Sequence, residues 1–319
     1  MSTTVKKPAP ARRRRRVVGT LARLGVAATV LGALLAQTGV APLARIVERA
    51  SPAALVAALV LFAAGQAASA WRWWRIARHA GFAAGLSSCL RIYWIGMFAG
   101  VATPSTLGAD GTRTLLLGRA PPGRRAALST VLFDRAIGLV TLLWILLAAL
   151  ALERSVVLPI ELRIGVITLA LSASAGLFGA PLLVRALPAS NRLRTATTRH
   201  LLPFVDSGRL LLTTAASSLC VHGLHLAAQK VLADALGLDL PWAFVALYHP
   251  LVALAAAAPI TIGGFGLREA TYALLLGEVG VPTGDALALG LLWWAIGATV
   301  GLSGGLVWLS GRFQRGAEV

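Results

Sequence analysis

Apolar runs separated by short polar or basic stretches follow one another along most of the chain. Predominantly apolar segments near 21–41, 52–70, 86–103, 128–151, 164–184, 210–236, 240–258 and 286–309 each approach the roughly 20 residues that a membrane-crossing helix needs. The pattern predicts an all-α polytopic membrane protein. Residues 1–20 carry Lys6, Lys7 and the run Arg12 to Arg16 among Pro and Ala, a composition that cannot bury a core. It predicts a disordered basic cytoplasmic tail able to touch anionic lipid. Segment 21–41 reads as an uncleaved anchor rather than a signal peptide, despite its basic start and the small residues near Ala36. The second segment ends in Trp71-Arg72-Trp73-Trp74-Arg75, an aromatic and basic cluster of the kind that lies at a headgroup interface.

Two of the apolar runs lead into the same short motif. Residues 104–113 read Pro-Ser-Thr-Leu-Gly-Ala-Asp-Gly-Thr-Arg and residues 259–268 read Pro-Ile-Thr-Ile-Gly-Gly-Phe-Gly-Leu-Arg. Both fit Pro-x-Thr-(Leu/Ile)-Gly-x-x-Gly-x-Arg. Leu-Leu-Leu-Gly follows each copy, at 115–118 and 274–277, and Ala-Ile-Gly follows at 136–138 and 295–297. Leu and Ala matches are cheap in so apolar a chain, whereas Pro, Thr, two Gly and Arg in one register are not. The reading is an internal duplication with repeat units at about 52–151 and 210–309, whose shared element is a broken, Gly-rich segment at membrane depth. Pro104, Thr106, Gly108 and Gly111 in the first copy, and Pro259, Thr261, Gly263, Gly264 and Gly266 in the second, would form the hairpin backbone, with the two Thr side chains capping or back-bonding the broken helices.

Basic residues decide how these segments cross. If 86–103 and 240–258 both span fully, about 15 Lys and Arg lie inside and 10 outside, with the Arg-rich linker 185–209 on the wrong face. If both dip in and return, roughly 20 lie inside and 5 outside, which the positive-inside rule favours. The expected architecture is six full spans (21–41, 52–70, 128–151, 164–184, 210–236, 286–309) plus re-entrant hairpins at 86–118 and 241–277. A single transmembrane domain then covers 21–310, residues 311–319 form a cytoplasmic tail, and both termini lie in the cytoplasm of a cell whose plasma membrane the protein crosses. By parity the two units run in opposite senses, an inverted repeat meeting near the midplane. Non-helical backbone at that depth must be buried in protein or line a wet cavity.

Composition agrees. Hydrophobic residues make up 57% and charged residues 13%, mean hydropathy is +0.76, and the net charge is +18. A basic nucleic-acid binder keeps its charge on a solvated face, whereas here Arg residues punctuate the ends of apolar runs, so the charge orients the protein in the membrane and no nucleic-acid partner is expected. Cys89 and Cys220 are isolated thiols and read as packing residues. No Walker, GxSxG, HExxH or paired-CxxC signature occurs, so neither a soluble catalytic domain, nor a cofactor, nor a metal site is expected. His222 and His225, one turn apart, read as a packed pair rather than metal ligands. His249-Pro250 reads as a helix break, with a titratable gate as the sharper alternative.

Once loop charges are set aside, three acids face three bases within the membrane zone: Asp110, Asp134 and Glu269, and Arg113, Arg135 and Arg268. An unpaired charge at bilayer depth costs at least ~2.5–3.5 kcal/mol, so such groups pair or face water. Guanidinium offers a planar bidentate fork suited to phosphate, and Gly-rich backbone at a half-helix start adds amide donors. Arg113, Arg135 and Arg268 are therefore the candidate lipid-phosphate ligands. Asp110, Asp134 and Glu269 are their candidate counter-ions, or acceptors for a cationic headgroup. The competing account is that these charges form fixed pairs that lock helix packing.

At these residues the chain resembles the lysylphosphatidylglycerol synthase transmembrane-region family of flippase-like integral membrane proteins. The resemblance rests on Gly108-x-Asp110-x-x-Arg113, on Asp134-Arg135-x-x-Gly138 and on Gly263-Gly264-Phe265-Gly266-x-Arg268-Glu269, and covers about 50–310. Ala109 departs from it, standing where a second Gly is expected, and predicts a tighter first hairpin. The resemblance implies movement of a phospholipid or other amphipathic lipid across or between membranes. Full-length synthases of the family add a soluble aminoacyl-transferase domain after the membrane part; the chain stops just past its last span, so lipid modification by this polypeptide alone is not expected. The leading expectation is a non-enzymatic lipid translocator with no assigned catalytic residue and membrane phospholipid as its partner; self-association into a homo-oligomer stays open. A membrane-embedded transferase with Asp110 or Glu269 as general base, and a non-transporting membrane partner, are the alternatives.

Overall fold

The computed structural model describes residues 48, 50–102, 107–153, 159–188, 190, 191, 194, 195, 197, 198, 201–257 and 266–316. The basic tail, the first predicted span at 21–41, Pro104, Thr106, Pro259, Thr261, Gly263 and Gly264 lie outside them. Every regular element among the described residues is helical. Helix α1 covers Pro52–His79, α2 Leu86–Ala102, α3 Leu107–Leu117 and α4 Arg124–Leu152. Helix α5 spans Ile160–Arg185 with a π-helical turn at Ala175–Gly179, and a single turn, α6, covers Leu202–Val205. Helix α7 covers Gly208–Ala235, α8 Trp242–Ala257, α9 Leu267–Gly277 and α10 Thr283–Gly316.

Five of these, α1, α4, α5, α7 and α10, are long and apolar enough to cross a membrane, and they fall on five of the six expected spans. Helices α2 and α8 are apolar but shorter, 17 and 16 residues. Local sequence fixes several starts. Ser51 Oγ accepts from Ala54 N ahead of Pro52, and Ser207 Oγ accepts from Leu210 N at the head of α7, each satisfying an otherwise orphaned amide. Pro250 lies inside α8, which continues past it to Ala257; the break expected at His249-Pro250 is thus not an end of helix, and His249 is buried within the bundle.

The order long, short, short, long occurs twice, in α1 to α4 and in α7 to α10. Helix α1 packs along α7, α2 against α10, and α4 against α8; within each run, α2 lies on α3 and α3 on α4, as α8 lies on α9 and α9 on α10. The main apolar core is built by Phe62 of α1, Leu232 of α7, Tyr248 and Val252 of α8, Tyr272 of α9 and Leu289 of α10. Where α10 crosses α2, small residues set the distance. A Cβ on Gly304 would lie 2.0 Å from the Trp94 carbonyl oxygen, and one on Gly301 2.5 Å from Val101, so the two backbones meet at the glycine face. Large apolar side chains on the opposite faces, such as Val56, Val60, Leu132, Leu212 and Leu306, are exposed, the arrangement of helices whose outer solvent is lipid.

Candidate functional site

Asp134, on α4 one turn before Gly138, is the centre of a buried ionic network. Arg72 of α1 donates from Nε to Asp134 Oδ1 at 2.8 Å, and Arg113 of α3 donates from Nη2 to Oδ2 at 2.7 Å. One carboxylate from one helix thus holds guanidinium groups from two others. Arg72 also donates from Nη1 to Ser218 Oγ of α7 at 2.7 Å. Its guanidinium lies against the α4 backbone because Gly138 carries no side chain; a Cβ there would stand 3.4 Å from Arg72 Nη2. The Gly138 carbonyl in turn accepts from His222 Nε2 at 3.1 Å.

Aromatic rings complete the enclosure. The Arg113 guanidinium lies over the rings of Trp73 and Tyr93, 4.3 and 4.7 Å from their centroids, where the ring quadrupoles favour a cation. Trp73 Nε1 donates to Thr130 Oγ1 at 3.1 Å, and Tyr93 donates to Ser69 Oγ at 2.9 Å. Arg113 Nε is buried with no hydrogen-bond partner among the described residues. The side chains of Asp134 and Arg113 are 3% and 4% exposed. Leaving either partner uncompensated in such a site is costly.

A second pair opens outward from this core. Arg135, beside Asp134 but on the other side of α4, donates from Nε and Nη2 to Asp110 Oδ1 at 3.1 and 3.0 Å, a forked contact of the kind guanidinium makes with carboxylates. Its side chain is 52% exposed and that of Asp110 23%. Asp110 also lies 3.8 Å from Arg113, so the outer pair is continuous with the buried core. Among the described residues the network sums to three guanidinium groups and two carboxylates, one positive charge in excess.

Arg268 and Glu269 form a pair on α9. Arg268 Nε donates to Glu269 Oε1 at 2.9 Å, while Glu269 Oε2 accepts from the Gly266 amide at 2.8 Å. Glu269 is therefore both counter-ion and helix cap. Gly266 stands at φ +81°, a conformation that an L side chain adopts only with strain. Of the six expected charged site residues, Asp110, Arg113, Asp134 and Arg135 are brought into one network, and Arg268 and Glu269 are paired with each other.

Three sequence expectations change here. Arg72 and Trp73, assigned to the headgroup interface, face inward and are 5% and 0% exposed, while Trp71 is 36% exposed. The signal for Arg72 was its helix face: it follows Gly65 by seven residues and Ser69 by three, a small and polar stripe within an apolar helix. Gly108 and Gly111, expected in non-helical hairpin backbone, lie inside α3. Asp110 in the first turn favours that helix electrostatically, and Ala109 packs onto α2, where Cβ atoms on Gly96 and Gly100 would come within 3.1 and 3.3 Å of it. Among the described residues, nothing lies within 4 Å of a Cβ built on Gly111. Cys220, expected to pack, is an exposed free thiol, whereas Cys89 is buried.

The three histidines do not converge on a metal; among the described residues no group of three or more His, Cys, Asp or Glu side chains is placed to hold one. His225 stacks on Phe62 at 5.1 Å, and His225 and His249 meet the Trp293 ring edge-on at 5.8 and 5.3 Å. This is an aromatic cluster joining α1, α7, α8 and α10.

No curated protein and no solved structure matches the chain. The family described as the lysylphosphatidylglycerol synthase TM region matches it over residues 20–304, a stretch that includes every charged residue of the network. The protein belongs to that family of lipid-related membrane proteins.

Proposed function

We propose that this protein is a lipid translocator of the cell membrane, in which Arg135, Arg113 and Arg268 engage a lipid phosphate and Asp110, Asp134 and Glu269 neutralise them in the empty state. The observation that carries this reading is the graded network around Asp134. Its inner part is buried and paired, its outer Arg135 is half exposed and held, among the described residues, by Asp110, and the described network has one positive charge too many. An approaching phosphate would compete with Asp110 for the Arg135 fork and supply the missing negative charge. Arg113 is closed off by Asp134, Trp73 and Tyr93, so in this reading it is reached only when α3 moves relative to α4.

The two-fold exchange in the helix contacts, α1 with α7, α2 with α10 and α4 with α8, supports an inverted repeat of units 52–151 and 210–309 within one transmembrane domain, 21–310. At 17 and 16 described residues, α2 and α8 lie at the lower end of the roughly 17–25 that a crossing helix takes, and each is followed by an 11-residue partner helix packed on it. This supports hairpins that enter and return. With six full spans, both termini and the linker 185–209 lie in the cytoplasm. A transferase would need Asp110 or Glu269 as a free base, and both carboxylates are engaged as acceptors, which favours transport over chemistry.

The test is reconstitution of the pure protein in liposomes with headgroup-labelled phospholipids, following leaflet exchange and product formation together. Exchange without new product is expected. New lipid product would select the transferase, and neither would select a non-transporting partner.

A further inference from the structure

Outside the network, one cavity gathers positive charge, with no acid among the described residues that line it. A cleft of about 410 Å³ lies between the C-terminal end of α1 and the head of α7, lined by Trp74, Arg75, Arg78 and His79 from the first and by Ser207 and Arg209 from the second. Its size falls in the range of small-ligand sites. We propose that this cleft binds a phosphate-bearing anion, the headgroup of an anionic lipid or a soluble phosphate, at the end of the bundle that also carries the basic linker 185–209.

Two of the lining side chains are held by hydrogen bonds. Trp74 Nε1 donates to the Ala84 carbonyl at 3.1 Å, and His79 Nε2 donates to the Pro203 carbonyl at 2.8 Å, tying the cleft to the turn after α1 and to α6. Arg75 lies over the Trp71 ring, 5.6 Å from its centroid, which occupies a face of the guanidinium and leaves its edge donors for a ligand. Ser207 is the N-cap of α7, so the positive end of a 28-residue helix opens beside the three Arg residues. Among the described residues, Arg75, Arg78 and Arg209 take part in no ion pair. The nearest acid in sequence, Asp206, is engaged by Arg185. The chain holds only 12 acids against 30 Lys and Arg, and none of the described acids is paired with these three. Three guanidinium groups, an indole wall and a helix head suit a phosphate carrying an amphipathic body better than a bare cation or an apolar group.

The site is independent of the translocation reading and is tested separately. Detergent-solubilised full-length protein is titrated calorimetrically with short-chain phosphatidylglycerol and, in parallel, with inorganic pyrophosphate. Binding that weakens at least ~100-fold in Arg75→Gln/Arg78→Gln/Arg209→Gln is expected, from the loss of several charge-assisted hydrogen bonds. Removing three of 30 basic residues barely alters diffuse attraction, so a loss of that size requires a local site. Lipid bound without pyrophosphate identifies a headgroup; both bound in competition identify the phosphate itself. No binding of either probe, or equal binding by the wild type and the triple variant, overturns the proposal. Wild-type protein gives a second reading that does not depend on the variant's folding. A diazirine-bearing phosphatidylglycerol in the lipid arm, or an azido-nucleotide in the soluble arm, should crosslink within 71–79 and 207–210. Labelling spread evenly over the other helix ends would equally overturn it.

Discussion

Helices α3 and α9 are each 11 residues long, end at a Leu-Leu-Leu-Gly and carry the Arg of the same repeated motif, yet they treat that Arg differently. Arg113 is the seventh residue of α3, whereas Arg268 is the second of α9. In the first copy, Gly108-Ala109-Asp110 includes a good helix former and an acid that favours a helix head, and the chain is already helical at Leu107, ahead of Gly111. In the second, Gly266 takes a positive φ and the helix begins only after it, with Glu269 reaching back to cap it. The shift of more than a turn changes the counter-ion. Arg113 projects from mid-helix onto Asp134 of α4, while Arg268, at a helix head, pairs with its own neighbour. A motif shared in sequence carries an inter-helix lock in one half and, in the other, an Arg–Glu pair whose Glu caps its own helix.

The strongest way to break this comparison is to remove the lock. Asp134→Asn leaves Arg72 and Arg113 buried without their shared carboxylate, and a loss of roughly 3–5 kcal/mol is expected. Asp134→Asn strands guanidinium groups from two helices, whereas Glu269→Gln strands the single guanidinium of Arg268, so thermal unfolding in detergent should place Asp134→Asn below Glu269→Gln. An unchanged midpoint would show that water or a neighbour already balances the two guanidinium groups.

The glycines sharpen the same contrast. Gly266→Leu forces a branched side chain into a left-handed backbone and should cost about 1–2 kcal/mol, together with lipid exchange if α9 must start there. Gly111→Leu, at the equivalent motif position, sits in helical backbone with no described residue within reach of a Cβ; its stability should be unchanged or slightly raised, because Gly is a poor helix former by about 1 kcal/mol. Equal destabilisation by both would mean that the two copies are built alike after all.

Much of this was legible in the sequence, because apolar run length reports span length directly. The five long helices, the two short ones and the pairing of acids with Arg residues at membrane depth were all readable without coordinates. What was not readable depended on which way a helix faces. Arg72 stands in a Trp-Arg-Trp-Trp-Arg string whose composition matches a headgroup belt, and only packing of α1 against α4 and α7 turns it toward Asp134 and Ser218. Helix starts within Gly-rich motifs were equally hidden, since one Ala in place of Gly shifts the balance by an amount that sequence identity alone does not announce. The role of Gly138 illustrates the same limit: its motif position was visible, but its reason, room for a guanidinium from another helix, is tertiary.

The pair on α9 offers a smaller effect. In Arg268→Gln/Glu269→Gln both charges go together, and the new amide oxygen at position 269 can still accept from the Gly266 amide, so stability should move by no more than about 1 kcal/mol. If Arg268 is a phosphate ligand, exchange in liposomes should nonetheless fall to background. A double variant that transports normally would leave this pair a purely structural cap, and the lipid site would belong to the first half alone.

The smallest stability effect is expected at Arg135, and it is the most direct measure of function. Its side chain is 52% exposed, so the pair with Asp110 is screened and should be worth under about 1 kcal/mol; Arg135→Gln should unfold at nearly the wild-type temperature. Two accounts then diverge. If the Arg135–Asp110 pair only trims the edge of the lock, exchange should follow stability and change little. If Asp110 is a stand-in for lipid phosphate, removing the fork removes the first contact that a headgroup makes, and exchange should drop at least tenfold, the equivalent of one charge-assisted hydrogen bond. Arg135→Lys separates charge from geometry, because an ammonium keeps the attraction and loses the bidentate contact; intermediate exchange is expected. Wild-type exchange by Arg135→Gln, measured beside an unchanged unfolding curve, would remove Arg135 from the site and leave the excess positive charge of the network without a transport role.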